Sequence, residues 1–287
     1  MKNCKYVFVK PLKTKGAKLK GTVATVAALC IVCTVFIASL LSSGCNEKIE
    51  SSEIDDATIL KSLDDAPAVS DSLPWNFPIK PGMPEWRNFQ SNEEMVKACQ
   101  IPENVLSALT TDELTKICLQ YPLLYDIFAF ESLFHGLDKL FDDFNGIREL
   151  FKRDDVSNSL TTRYIDKVQS MSFLNETKSD IEKGYFIISI SALEALLSRN
   201  VTHDDESLKI VLQSLVVGYE EKLKFVDYFK GFGFKSNLYS RGHIIGKIDK
   251  SSFEHLPQKD ENSVLYSGMA DELTVNLIDK MSYQLIH

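Results

Sequence analysis

Hydrophobic residues recur at three- and four-residue steps along most of the chain after Gln90, the spacing that places them on one face of a helix. Helix starts are marked as well, because Ser91 and Thr110 are each followed three residues later by a glutamate, the pattern of a capping box. Alternation typical of half-buried strands, with turn signals between the runs, is not found in residues 91–287. We therefore predict an all-α fold, either a multi-helix bundle or a stack of helical hairpins.

Glycines predict where two of these helices end. A helix over residues 123–134 is predicted to stop at Gly136, and a long helix that starts at Asp204 or Asp205 is predicted to end at residues 230–233. The other helices are predicted over residues 137–144, 147–153, 156–168, 179–197, 237–248 and 270–285, with a polar loop over 249–263. Residues 185–188 are β-prone, but the alanines and leucines that follow them favour helix.

An extended strap rich in proline and tryptophan is predicted ahead of the helices. Residues 73–86 hold four of the nine prolines and both tryptophans, and prolines at this spacing exclude a helix. The strap either offers its aromatic side chains to a partner or buries Trp75 and Trp86 against the helices of the same domain. We favour burial, because large exposed apolar patches are rare. Residues 73–287 are thus predicted to form a single helical domain.

Two segments of different composition precede this domain. Residues 21–41 are apolar or small throughout, and the twenty residues before them carry seven lysines and no acidic residue. This is the pattern of a signal peptide, with a basic region followed by an apolar one. Residues 46–72 are acidic, rich in serine and without aromatic residues, so residues 45–72 are predicted to form a flexible tether.

The sequence Leu41-Ser42-Ser43-Gly44-Cys45 resembles the lipobox of bacterial lipoproteins. The resemblance implies that residues 1–44 are a signal peptide cut after Gly44, and that Cys45 carries acyl chains such as palmitate. Ser42 departs from the leucine that this motif prefers three places before the cysteine. The alternative is an uncleaved membrane helix over residues 22–41, which is just long enough to span a bilayer. Both interpretations place the domain outside the cytoplasm.

Further segments resemble uncharacterised lipoproteins of gut Bacteroidales, a group with no assigned activity. The resemblance is carried by residues 81–86, 98–102, 144–150 and 267–271. It implies a location in the bacterial cell envelope, facing the periplasm or the cell surface, with membrane lipid held through acylated Cys45. It implies nothing about chemistry.

Charge and motif content exclude several classes of function. The chain has a formal net charge of −8, and the part after Cys45 has −15, because all 40 acidic residues but only 25 of the 32 basic residues lie there. So acidic a domain repels phosphate backbones, and we predict no nucleic-acid partner. The five histidines lack the spacing of a metal site, and His203 with the acids after it is interpreted as a solvated helix start. No catalytic or cofactor-binding motif is recognised, so no catalytic, cofactor or metal residue is assigned.

Cys99 and Cys118 are candidates for a disulfide. They lie near the ends of adjacent predicted helices, in a chain predicted to be exported to an oxidising compartment. The alternative is two buried free thiols on helix faces. The sequence cannot decide between them, because a disulfide requires a particular Cα separation.

The sequence therefore predicts a membrane-anchored extracytoplasmic lipoprotein, most simply a non-enzymatic protein that binds an unknown protein or glycan partner. The alternative is a glycan-active hydrolase or lyase with acidic catalytic residues, since such enzymes need only an acid and a base placed across a cleft.

Overall fold

The computed structural model describes residues 73–199, 204–230, 232–249 and 272–286. These residues form twelve α-helices and two short 3-10 helices, with no strand among them, which confirms the all-α prediction. The α-helices are α1 (Asn92–Ala98), α2 (Glu103–Leu106), α3 (Thr111–Leu119), α4 (Leu133–Asp143), α5 (Asn145–Leu150), α6 (Val156–Gln169), α7 (Phe173–Glu176), α8 (Asp180–Ser198), α9 (Asp205–Lys224), α10 (Val226–Phe229), α11 (Phe232–Ile248) and α12 (Glu272–Ile286). The 3-10 helices span Pro84–Asn88 and Leu124–Ala129.

Side-chain caps start the helices where the sequence predicts them. Thr110 and Glu113 form the full capping box of α3, in which each side chain accepts a hydrogen bond from the backbone N–H of the other residue. The Ser91 hydroxyl caps α1, and the Asp204 carboxylate caps α9 by accepting from the Ser207 N–H at 2.9 Å. Local signals in the sequence are therefore sufficient to set these boundaries.

The helix predicted over residues 123–134 is wrong, and Gly136 does not end a helix. The chain instead makes the 3-10 helix Leu124–Ala129, and α4 begins afterwards with Ser132 as its cap. Gly136 lies inside α4, where a Cβ atom would be only 2.0 Å from the backbone oxygen of Ile127. The glycine is needed for close packing of α4 on the 3-10 helix, and this requirement overrides its usual role as a helix stop.

Residues 230–233, predicted only to end a helix, also contain the start of the next helix. The long helix α9 ends at Lys224, the single turn of α10 follows, and α11 starts at Phe232, well before its predicted start. Gly233 therefore lies in the first turn of α11, where a Cβ atom would be 2.7 Å from the Phe229 ring. The close contact between α10 and α11 therefore accounts for Gly233, which the sequence predicts only as a residue that ends a helix.

The strap packs against its own domain, as the sequence favours. Phe77 is buried, and Trp75 and Trp86 are half-buried against the core. The rings of Trp75 and Phe77 meet edge to face with centroids 4.6 Å apart. The predicted extended conformation does not continue to the 3-10 helix Pro84–Asn88. The chain turns at residues 80–83, where the Met83 N–H donates to the Lys80 carbonyl oxygen at 3.1 Å and Gly82 has a positive φ of 99°.

The centre of the domain is a group of four helices. The helices α8 and α9 each pack against α11 and against α6, and α12 covers α9 and α11 from outside. One face of each long helix is apolar, and residues 190–198 of α8 are buried on every side. This all-round burial leaves any polar side chain in that half of α8 without access to water.

No helix among the described residues is long and apolar enough to cross a bilayer. The predicted signal peptide, Gly44, Cys45 and the tether lie in residues 1–72, outside the described residues, as does nearly all of the loop predicted over 249–263.

Candidate functional site

A network of buried polar side chains surrounds the carboxylate of Glu194 on α8. Lys222 of α9 places Nζ 2.6 Å from Oε1 and 2.7 Å from Oε2. The Tyr164 hydroxyl of α6 donates to Oε1 at 2.8 Å, and the Ser236 hydroxyl of α11 donates to Oε2 at 2.5 Å. Asn237 of α11 adds a fourth donor, with Nδ2 3.0 Å from Oε1. The carboxylate thus joins all four central helices.

The donors of this network also reach backbone acceptors. Lys222 Nζ donates to the carbonyl oxygen of Gly233 at 2.6 Å, and Asn237 Nδ2 donates to that of Leu215 at 2.9 Å. The amide oxygen of Asn237 is different, because it is buried and has no hydrogen-bond partner. Such orphaned oxygens are rare in folded proteins and call for an explanation.

Local sequence explains how these groups enter the core. Glu194 lies in the half of α8 that is buried on every side, so its carboxylate must find partners within the protein. A glycine on the facing helix makes room for one of them: at Gly218, a Cβ atom would be 1.8 Å from the Tyr164 hydroxyl oxygen. Only glycine at this position lets the phenol reach the carboxylate without a shift of the helices.

Burial governs the electrostatics of the network. It lowers the pKa of Lys222 and raises the pKa of Tyr164, and the neighbouring Glu194 partly offsets the first shift and adds to the second. The side chains of Glu194 and Lys222 are both 0% exposed, so no external substrate reaches them in this conformation. Any chemistry of this network is confined to groups of the protein itself.

A second buried cation attaches the last helix. Arg241 of α11 is fully buried and donates to the Ser282 hydroxyl of α12 from Nε at 3.1 Å and from Nη2 at 2.8 Å. Nη1 is 2.7 Å from a carboxylate oxygen of Asp279, and the guanidinium lies over the Tyr219 ring at 5.2 Å. The docking of α12 therefore depends on polar contacts as well as on apolar packing.

A third cation lies between aromatic rings at the end of α8. The guanidinium carbon of Arg199 is 4.9 Å from the ring centroid of Phe134 and 5.4 Å from that of Phe141, and its Nη2 pairs with Asp138. Because Phe134, Asp138 and Phe141 all belong to α4, Arg199 joins α8 to α4. Contacts of this kind are stabilising when partly desolvated.

The surface has a shallow groove between α1 and α4. Its volume is about 290 Å³, and its charged lining consists of Glu93, Lys97, Lys139 and Asp143. The ammonium of Lys139 is 2.6 Å from the carboxylate of Asp143. Two acids balanced by two lysines do not make the acid-lined cleft expected of a glycosidase.

Large apolar side chains are exposed on α9 and α10. Ile210 is 52% exposed, Leu223 is 50%, and Val217 and Val226 are each more than 40% exposed. Single exposed apolar residues are ordinary, but Ile210 and Val217 lie seven positions apart and therefore on one face of α9, which makes this face the best candidate for a binding surface.

Asp126, in the second 3-10 helix, has an unusual carboxyl group. Burial raises its pKa from 3.8 to about 6. A carboxyl group with a raised pKa is a known property of general acids, although burial for structural reasons has the same effect.

The Asp126→Asn variant is expected to be more stable than the wild type at pH 7 by about 2 kcal/mol. At 1.4 kcal/mol per pKa unit the shift corresponds to about 3 kcal/mol, and solvent screening of the half-buried side chain reduces it. The pKa of Asp126 is higher in the folded than in the unfolded state, so the protonated carboxyl favours the fold below pH 3.8. This contribution to stability is lost as the pH rises through about 6. Denaturant unfolding at pH 4 and pH 7 measures the difference, which should shrink at the lower pH. The exposed Asp154→Asn is the control, and an equal gain there would contradict the assignment.

Cys99 and Cys118 are both free and both buried, which is the alternative that the sequence left open. Burial raises the pKa of Cys99 to about 11 and raises that of Cys118 well above its usual value. Both raised pKa values favour the protonated thiols, which are poor nucleophiles, so we expect neither cysteine to react while the fold is intact.

We expect no reaction of either thiol with a thiol reagent in the native 73–287 fragment, and two equivalents of reaction after unfolding without reductant. Residues 73–287 contain no other cysteine, so the count is unambiguous. If the unfolded fragment reacts only after reduction, the two cysteines form a disulfide.

The described residues contain no group of three or more side chains suited to hold a metal ion. Asp204, from the acidic segment after His203, caps α9, in agreement with its interpretation as a helix start. His203 itself, Gly44 and Cys45 lie outside the described residues.

Sequence reasoning missed the Glu194 network altogether. Its members are far apart in the chain, and each is a common residue in a helix. One signal was available: Glu194 follows two apolar residues and precedes three, in Ala-Leu-Glu-Ala-Leu-Leu, where a solvated glutamate would expose apolar neighbours.

Comparisons with protein-family models, with curated proteins and with solved structures give no match to this chain, so its function has to be argued from its own residues.

Proposed function

We propose that this chain is a lipid-anchored protein of the bacterial cell envelope whose helical domain binds a partner and does not act as an enzyme. The anchor is supported by the basic and apolar N-terminus and by the lipobox-like residues that end at Cys45. Binding is supported chiefly by one observation, the exposed apolar side chains on α9 and α10. The domain faces the periplasm or the cell surface.

Two further features favour binding over catalysis. The buried polar network surrounds Glu194, where no external substrate reaches it. The groove between α1 and α4 is small, and its charges are balanced. Binding through the outer faces of helices needs neither a deep cleft nor a reactive group.

Metabolic labelling with palmitate tests the anchor. The wild-type chain is expected to carry the label in the membrane fraction, and Cys45→Ala is expected to lose it and to remain larger because the signal peptide is not removed. Cys30→Ala, a change within the predicted signal peptide, should keep the label. A label that survives Cys45→Ala would contradict the proposal.

Cross-linking in intact cells and an activity screen test the mode of action. Ile210→Lys and Val217→Lys, on one face of α9, should each weaken cross-linking of the domain to its partner, whereas the Lys209→Ala control, also on α9, should not. Turnover of any polysaccharide in a panel by the 73–287 fragment would overturn the non-enzymatic proposal.

The second candidate is a glycan-active enzyme, and Asp126, whose carboxyl has its pKa raised to about 6 by burial, is the residue to test as its general acid. If the panel does give turnover, Asp126→Asn should abolish it and Asp154→Asn should not. Retained activity in Asp126→Asn would remove the observation that favours this candidate.

A further inference from the structure

Lys222 and Asn237 meet at a single carboxylate oxygen. The amine nitrogen of Lys222 is 2.6 Å from Oε1 of Glu194, and the amide nitrogen of Asn237 is 3.0 Å from the same atom. A nucleophile, an amide and an acid–base group thus come together in the centre of the domain. Holding reacting groups beside one another lowers the entropic part of the barrier to their reaction.

The surroundings suit a reaction between an amine and an amide. All three side chains are 0% exposed, so water is excluded as a competing nucleophile. The Phe229 ring lies 5.2 Å from Lys222 Nζ. Burial also lowers the pKa of Lys222, which increases the fraction of the neutral, nucleophilic amine.

We propose that Lys222 and Asn237 become joined by an isopeptide bond between Nζ and Cγ, with Glu194 as the group that transfers the proton. Glu194 takes a proton from the ammonium, and the neutral amine attacks Cγ of the asparagine. The new C–N bond forms as the Cγ–Nδ2 bond breaks. A second amine proton passes to the departing nitrogen, which leaves as ammonia. No oxidant, reductant or cofactor is needed.

The product removes one cost of the unreacted network. A buried ion pair is replaced by an amide and a protonated carboxyl group, both neutral, so the penalty for burying two charges disappears. The new amide N–H takes the place of Asn237 Nδ2 next to Glu194. The amide oxygen of Asn237 has no hydrogen-bond partner. No hydrogen bond to this oxygen therefore has to break when Cγ turns toward the amine.

The bond would covalently attach α9 to α11 within the four-helix centre. It resembles a disulfide in closing a loop of the chain, but reductants do not break it. The inference is independent of the proposed function, because it concerns only groups inside the domain.

Mass spectrometry of the full chain tests the proposal. We expect the wild type to be lighter by one ammonia than its sequence and acylation require, and a tryptic digest to contain a branched peptide that joins Lys222 to Asn237. Lys222→Arg, Asn237→Ala and Glu194→Gln should have their full masses and no branched peptide. Asn237→Asp should lose water in place of ammonia and keep the branch, and the Lys224→Arg control, at an exposed lysine of α9 outside the network, should behave like the wild type.

Wild-type protein of full mass with only linear peptides would overturn the proposal. So would loss of ammonia without a branched peptide, as from cyclisation of Asn237 onto its own backbone. Because the wild type alone decides between these outcomes, a variant that fails to fold does not weaken the test.

Discussion

The Lys222→Met variant is expected to lose about 3–5 kcal/mol in its free energy of unfolding relative to wild-type chain in which Lys222 and Asn237 are not joined, the usual result when one partner of a buried ion pair is removed. Methionine fills the space of the lysine stem but leaves the Glu194 carboxylate buried without its cation. The Gly233 carbonyl oxygen also loses a donor at 2.6 Å. Denaturant unfolding at pH 7 measures the loss.

A double variant separates the charge from the packing. In Glu194→Gln with Lys222→Met, the glutamine is neutral and its amide oxygen can still accept from Tyr164 and Asn237. This variant should regain more than half of the stability lost by Lys222→Met alone. Neither variant has an amine at position 222, so any isopeptide bond is absent from both. Equal losses in the two variants would show that the buried charge is not the cause.

The Gly136→Ala variant is expected to lose about 3 kcal/mol, at the upper end of overpacking effects. Alanine normally stabilises a helix interior by about 1 kcal/mol relative to glycine, so the expected sign is opposite to that of helix propensity. The new Cβ would be 2.0 Å from the backbone oxygen of Ile127, which cannot rotate away as a side chain can. The helix α4 would therefore have to move away from the preceding 3-10 helix.

Thermal or denaturant unfolding of Gly136→Ala is compared with that of His135→Ala. His135 is exposed on the same helix, so its replacement should change the free energy of unfolding by about 0.5 kcal/mol or less. A stabilised Gly136→Ala protein would mean that α4 and the 3-10 helix are not packed as described.

Much of the fold is predictable from the sequence because it depends on local signals. Caps such as Thr110 and Asp204 act on backbone groups within one turn, and the apolar face of each helix is visible in its spacing. Gly136 was misread because its role depends on a contact with Ile127, nine positions earlier in the chain. Sequence periodicity contains no information about how closely two backbones approach.

The Glu194 network was unpredictable for a related reason. Glutamate and lysine are good helix formers that normally lie on the solvated face, so Glu194 and Lys222 each look ordinary in isolation. Their burial follows from the packing of α8, α9 and α11, which no single segment specifies. A charged residue inside a long apolar run indicates that the residue is buried, but it does not identify the residues that pair with it.

The attachment of α12 through Arg241 has a consequence for the order in which the domain can fold. Asp279 and Ser282, which neutralise and bind this guanidinium, lie 38 and 41 positions after it in the chain. Until α12 has docked, the remaining helices have a cationic residue facing an unfinished core. A premature stop codon ahead of α12 therefore has the effect of a core mutation, although the four central helices are all translated.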